Sequence, residues 1–196
     1  MFLVAGLGNP GDEYALTPHN MGFLTVDRLA ERHGIRITRK DSRALVGLGE
    51  IEGREVMLAK PQTFMNLSGT SLAPLMEKHA IGISDLIVVY DELDLPWTAL
   101  KIKPKGSAAG HNGMKSVIGS LKTSEFVRVR LGVHPGRPYE SGMDYLLSPF
   151  KRSQKKELDD FTGFAADAVQ SIIAEGVEKS MTRFNRRAPG LNNEEA

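Results

Sequence analysis

Leu86-Ile87-Val88-Val89-Tyr90 is an apolar run rich in β-branched residues and free of polar alternation, which is the pattern of a strand covered on both faces. Phe2 to Ala5 has the same character. Strands hidden on both faces need helices above and below them, so the chain is committed to an α/β layering rather than to a half-solvated antiparallel sheet.

The intervening segments supply those helices. Val26, Leu29 and Ala30 continue an apolar face from Met21 and Phe23 to His33, closed by Gly34. Leu72, Leu75 and Met76 mark a second helix in which Pro74 suits the first turn or a kink. His111-Asn112-Gly113 opens a third through Val117, Ile118 and Leu121. Leu158, Phe161, Ala165, Ala168 and Ile172 mark a long C-terminal helix, bent at Gly176 before Val177, Met181 and Phe184. Residues 44–51 and 54–59 read as a hairpin around Glu52-Gly53, and 99–103 and 126–133 as further strands. A chain of 196 residues with 41% hydrophobic content suits one core. The expected fold is therefore α/β: a single domain over residues 1–185, with a twisted, mostly parallel or mixed β-sheet flanked by helices and a long C-terminal helix. Residues 186–196 hold little apolar content and are expected to form a flexible tail.

Gly6-Leu7-Gly8-Asn9-Pro10-Gly11 follows the first strand and matches the dinucleotide fingerprint G-x-G-x-x-G. That reading is set aside. Pro10 and Pro18 interrupt any helix that could present its amides to a pyrophosphate, and no second strand ends in an acid at the ribose-binding spacing. Irregular backbone after a buried strand is still where open α/β sheets take ligands. Asn9, Tyr14, His19 and Asn20 fall there and mark the candidate active site.

Several chemistries are excluded by the residues themselves. The chain has no cysteine, no Gly-x-Ser-x-Gly elbow and no His-Glu-x-x-His. A hydrolytic reaction would therefore use water activated by a base. His19 lies in a loop after one strand and Asp91 at the end of another; a carboxylate on one imidazole nitrogen leaves the other free to take a proton. A surface or helix-capping role for His19, and a turn cap for Asp91, are the plainer alternatives. Asn9, Asn66 and Asn112 each stand at a strand-to-helix junction, where an amide can hold a carbonyl and a water or simply stabilise a turn. Phe64 and Met65 read as core, and Tyr14 as a packing residue.

The charge is segregated. Residues 101–137 carry eight of the 25 basic side chains and one of the 24 acids, leaving 17 basic and 23 acidic residues elsewhere. This is either a polyanion-binding face or a solvated surface. No apolar stretch is long enough for a membrane span and none has the form of a signal peptide, so the expectation is a soluble cytoplasmic protein with no membrane partner.

Several blocks together resemble the bacterial peptidyl-tRNA hydrolases. They are Gly6–Gly11 with Tyr14, His19-Asn20-Met21-Gly22, Pro61 to Gly69, Asp91 to Pro96, and Gly110 to Lys115; the likeness runs from Phe2 to about Asn185. The resemblance implies a monomer that cleaves the ester between a peptide and the 3′ ribose of tRNA, in translation and ribosome rescue, with no metal and no cofactor. It implies that His19 is the general base, that Asp91 orients it, and that Asn9 distinguishes peptidyl-tRNA from free-amine aminoacyl-tRNA. It further places Tyr14, Phe64, Met65, Asn66, His111 and Asn112 against substrate, and Lys103, Lys105, Arg128 and Arg130 against the tRNA. The chain departs from the family at Ser107-Ala108-Ala109, where glycine is commoner, at Trp97, where proline is commoner, and in a shortened Gly132–Gly136 block. Two rivals are an RNA-binding scaffold without catalysis and a metal-dependent hydrolase using His19, His111 and Asp91 as ligands.

Overall fold

A computed structural model of the chain describes residues 1–190. Seven strands form one sheet: β1 (Phe2–Gly6), β2 (Arg39–Asp41), β3 (Ala44–Ile51), β4 (Arg54–Pro61), β5 (Leu86–Pro96), β6 (Leu100–Lys103) and β7 (Val127–His134), in the order β2-β3-β4-β1-β5-β7-β6. The central strands β4, β1, β5 and β7 are parallel neighbours, and the outer pairings β2–β3, β3–β4 and β6–β7 are antiparallel. The helices are α1 (Met21–His33), α2 (Ser68–Lys78), α3 (Asn112–Leu121), α4 (Gly142–Leu146), α5 (Lys155–Glu175) and α6 (Val177–Phe184).

The unbroken apolar strands explain the layering. Val4, Ile87 and Val89 pack into one core with Val26 and Leu29 of α1 and Phe161, Ala165 and Val169 of α5. Their neighbours Leu3, Ala5, Leu86, Val88 and Tyr90 point the other way, against Leu72 and Leu75 of α2 and Met114 and Val117 of α3. Each fully buried Leu, Ile or Val contributes about 2 kcal/mol of transfer free energy, so both faces of β1 and β5 hold their helices in place. At Gly22 a Cβ would collide with the carbonyl oxygen of Val89 and the amide of Leu7. Its absence lets the first turn of α1 lie directly against the ends of β1 and β5. The β3–β4 turn has φ of 51° at Glu52 and 72° at Gly53, the paired positive values of a tight hairpin.

Three features differ from the sequence-based expectation. β5 does not stop at Tyr90 but runs through the acids to Pro96, because β7 pairs with it as far as Glu92↔Gly132 and again, after an irregularity, at Pro96↔His134. β2 and α4 are too short to leave a periodic signature. The tail does not begin at residue 186. β6 borders the sheet, and its open hydrogen-bonding edge is met by the chain end whatever its apolar content. Leu100 N–H donates to Arg186 O (2.9 Å), Ala188 N–H to Thr98 O (3.0 Å), and Ala188 is buried. Residues 191–196, the rest of the expected tail, lie outside the described residues.

Candidate active site

No helix begins in the loop after β1. A 3-10 turn at Asp12–Tyr14 is followed by another at Pro18–Asn20, and α1 starts only at Met21. Pro18 fixes the entry to the second turn and buries His19 and Asn20 beneath it. Asn20 then clamps the preceding loop. Its Oδ1 accepts from Asn9 N–H at 2.8 Å and its Nδ2 donates to Asn9 O at 2.9 Å. Asn9 in turn accepts the Met65 amide on Oδ1 at 2.8 Å. One polar chain thus ties the β1 loop to the loop after β4, and the Asn9 Nδ2 is left without a partner among the described residues.

Asp91 sits where β5 passes the ends of β1 and α3. It is fully enclosed, and both of its oxygens accept from imidazoles: His19 Nδ1–H at 2.8 Å on Oδ2 and His111 Nε2–H at 2.9 Å on Oδ1. The two rings differ in what remains. His111 caps α3, and its Nδ1 accepts the Met114 amide at 3.2 Å, so both of its nitrogens are committed. These partners assign the tautomer. His19 Nε2 has no partner among the described residues.

Electrostatics follow the same geometry. Burial opposes a charge on His19, but the attraction and hydrogen bond of Asp91 outweigh it and raise its pKa above the usual 6.5. Burial likewise opposes the Asp91 carboxylate, yet the two imidazoles on its oxygens hold it well below the ordinary carboxylate range. Ligand atoms of His19, Asp91 and His111 lie within 4.8 Å of one another, a spacing a small cation could bridge. A cation held between the nitrogens that face Asp91 would replace the hydrogens both imidazoles donate to it.

His19, Asp91, His111 and Asn112 line a cleft of about 160 Å³, together with Glu92, Leu93, Asp94, Met143 and Leu146. Asn9 lines a separate groove of about 240 Å³ with Pro10, Asn20 and Lys60. Phe64 and Asn66 are exposed on the loop after β4, so Phe64 is not core, as its residue type had suggested. Met65 is core, as its residue type suggested: it is 4% exposed and packed where a Cβ on Gly113 would strike its sulfur, which sets it beneath the surface that the resemblance puts against substrate. Tyr14 is half-buried outside the cleft.

The basic residues divide. Arg128 is corrected from a surface cation to an internal brace, 1% exposed, donating to Ser107 O (3.0 Å) and Ser124 O (2.7 Å) with its guanidinium 4.5 Å from the Phe126 ring centroid. Arg130 donates twice to Glu92 Oε1, at 3.1 and 2.5 Å, which connects the β6–β7 pair to the cleft wall. Lys103 is part-exposed on β6, and Arg130, with burial and Lys101 behind it, lowers its pKa from the ordinary ammonium value. Lys105 is exposed and 3.9 Å from Glu125. Sequence reasoning placed Asn20 in the candidate site without naming its partner and gave no role to Glu92, which stands in a block singled out; the cleft residues of α4 left no signal.

Comparison with known proteins agrees over the whole chain. A family model described as peptidyl-tRNA hydrolase matches residues 3–192. The chain is 78% identical over 196 residues to a peptidyl-tRNA hydrolase of Solibacter usitatus, covering 100% of both chains. It is 50% identical over 188 residues to one of Koribacter versatilis, covering 95% of this chain and 94% of that protein. A crystal structure of peptidyl-tRNA hydrolase from Acinetobacter baumannii matches with a TM-score of 0.88 at 33% identity, covering 96% of each chain.

Proposed function

The chain belongs to the peptidyl-tRNA hydrolase family, hydrolases that act on ester bonds, and we propose that its chemistry is carried by water activated at His19. The observation that supports this is the asymmetry between two histidines on one carboxylate: His111 has both nitrogens engaged, whereas His19 is steadied at Nδ1 and has Nε2 free.

In this reading His19 Nε2 takes a proton from water, and the oxygen attacks the carbonyl carbon of the ester between peptide and 3′ ribose. The carbonyl electron pair moves onto its oxygen and returns as the bond to the ribose oxygen breaks. His19 then delivers its proton to the departing hydroxyl, and Asp91 stabilises the imidazolium in between. The unpaired Nδ2 of Asn9 and the amides of Asn66 and Asn112 suit a peptide backbone and the developing oxyanion. Because an imidazole supplies the base and Asp91 is occupied by two donors, this chemistry needs no metal. Lys103, Lys105 and the exposed edge of Arg130 give the RNA phosphates a positive face that is blind to sequence. Both sheet faces are covered by the chain's own helices, which favours a monomer, and the substrate places the protein in translation in the cytoplasm.

The experiment is turnover of N-blocked aminoacyl-tRNA by the wild-type protein and by His19→Ala. The wild type should release free tRNA at a rate unchanged by chelator, and His19→Ala should lose about 10²–10⁴ of kcat while still binding tRNA. A His19→Ala protein that keeps most of its rate would remove His19 as the base; a chelator-sensitive wild type would restore the metal-dependent alternative.

A further inference from the structure

On the far side of α4 from the catalytic cleft lies a second cavity of about 420 Å³, within the range of small-ligand sites. Its walls include Trp97, Tyr145 and Phe150, and Arg137 and Lys151 stand at its margin beside Pro18.

The rings are held in place before any ligand arrives. Trp97 Nε1–H donates to Glu157 Oε2 at 2.6 Å, and its ring lies 5.2 Å from Phe150 and edge-on to Phe161 at 5.4 Å. The Tyr145 hydroxyl donates to Val133 O at 2.5 Å. With their polar tips used within the protein and Tyr145 stacked on Tyr139 at 5.7 Å, these rings are fixed in the cavity wall, and little rotamer freedom is left to lose on binding. The cations are the reverse. Lys60, Arg32 and Arg183 reach carboxylates at 2.5–2.7 Å, but Arg137 and Lys151 are exposed and have no ion-pair partner among the described residues.

Fixed aromatic faces beside two unpaired cations suit a ligand that joins an aromatic base to a phosphate. A free anion would not use the rings, and an uncharged aromatic would not use the cations. Position narrows the choice. Pro18 immediately precedes His19, and Tyr145 immediately precedes Leu146, which lines the catalytic cleft. The cavity and the cleft therefore share a thin partition formed by α4 and the turn carrying His19.

We propose that this cavity is a subsite for one unpaired nucleotide of the substrate RNA, with its base on Trp97 and Phe150 and its phosphate on Arg137 and Lys151, while the 3′-terminal ribose lies at His19. The assignment rests on the hydrolase reading above. It adds a stacking anchor beside the reacting end, where a backbone clamp alone would leave the terminal nucleotides loose.

Trp97 is the sole tryptophan of the chain, so its emission reports this cavity alone. Titration of the intact protein with cytidine and adenosine 5′-monophosphates should quench it saturably, and ribose 5-phosphate or inorganic phosphate should not. Replacing both cations, Arg137→Ala with Lys151→Ala, should weaken the nucleotides by about tenfold. The same double variant should raise KM for peptidyl-tRNA by about tenfold, leaving kcat on a minimal N-blocked ester without RNA unchanged. No quenching by nucleotides, or equal quenching by ribose 5-phosphate, overturns the proposal. So does quenching accompanied by an unaltered KM, which would make the cavity a nucleotide site unconnected with the reaction. If the wild-type protein hydrolyses no peptidyl-tRNA, the hydrolase reading falls, and the emission titration still decides whether the cavity holds a nucleotide.

Discussion

Two imidazoles share one carboxylate, and the Met114 amide on His111 Nδ1 separates their roles. The consequence is a defined pH dependence. In the mechanism proposed above the rate requires His19 unprotonated, so kcat should fall as pH drops through its pKa, which Asp91 raises above 6.5 despite burial. In Asp91→Asn only burial remains, and burial favours the neutral ring. The acidic limb of the kcat profile should move to lower pH, and kcat itself should fall by about 10²–10⁴ as the preferred tautomer is lost. A limb that stays in place would mean that Asp91 does not act on His19. At this scale the meeting of His19 and Asp91 was legible, because each follows a buried apolar run and neighbouring strands bring such ends together; the roles of His19, Asp91 and Asn112 were not, since turn and cap positions suit the same residue types. Nor was the burial of Arg128. Residue type says nothing of what lies overhead, and Arg128 is absorbed by the Ser107 carbonyl of the loop after β6 together with the Ser124 carbonyl and the Phe126 ring just before β7.

Among the elements, β7 has the largest hidden duty. Arg128 and Arg130 alternate along it with the core residues Val129 and Leu131 and so share a face, but the loop after β6 closes over that face and takes Arg128 out of solvent. Arg128→Met should leave the Ser107 carbonyl without its donor and Ser124 O with only the long Gly106 amide at 3.4 Å. We expect a loss of about 2 kcal/mol in denaturant unfolding, with faster amide exchange concentrated in residues 106–111, next to His111. Uniform exchange across the sheet would argue against a local brace. The strand-helix layering was legible because β1 and β5 are apolar without alternation. β2 and α4 were not, since three and five residues are too few to show a period. The acids closing β5 read as a strand end, whereas pairing with β7 carries the backbone on.

For the whole molecule, the segregation of charge carries a prediction about how an RNA substrate is approached. The positive face on β6 and β7 should make tRNA affinity fall steeply with salt, and Lys103→Ala should weaken binding across tRNA sequences and flatten the log–log salt slope by about one. A slope unchanged from wild type would take Lys103 off the RNA path. Charge counting located this face but overstated it, because one of its arginines is internal and another is shared with Glu92. The chain end contributes to the same region: Asn185, Arg186 and Ala188 occupy the outer edge of β6, where Asn185 Oδ1 accepts from Ile102 N–H at 2.7 Å. A protein shortened before these residues would bare a row of unmet amides and carbonyls on a border strand. Such a selvedge invites copies to zip onto one another, so the final turn of chain guards solubility as much as it completes the sheet.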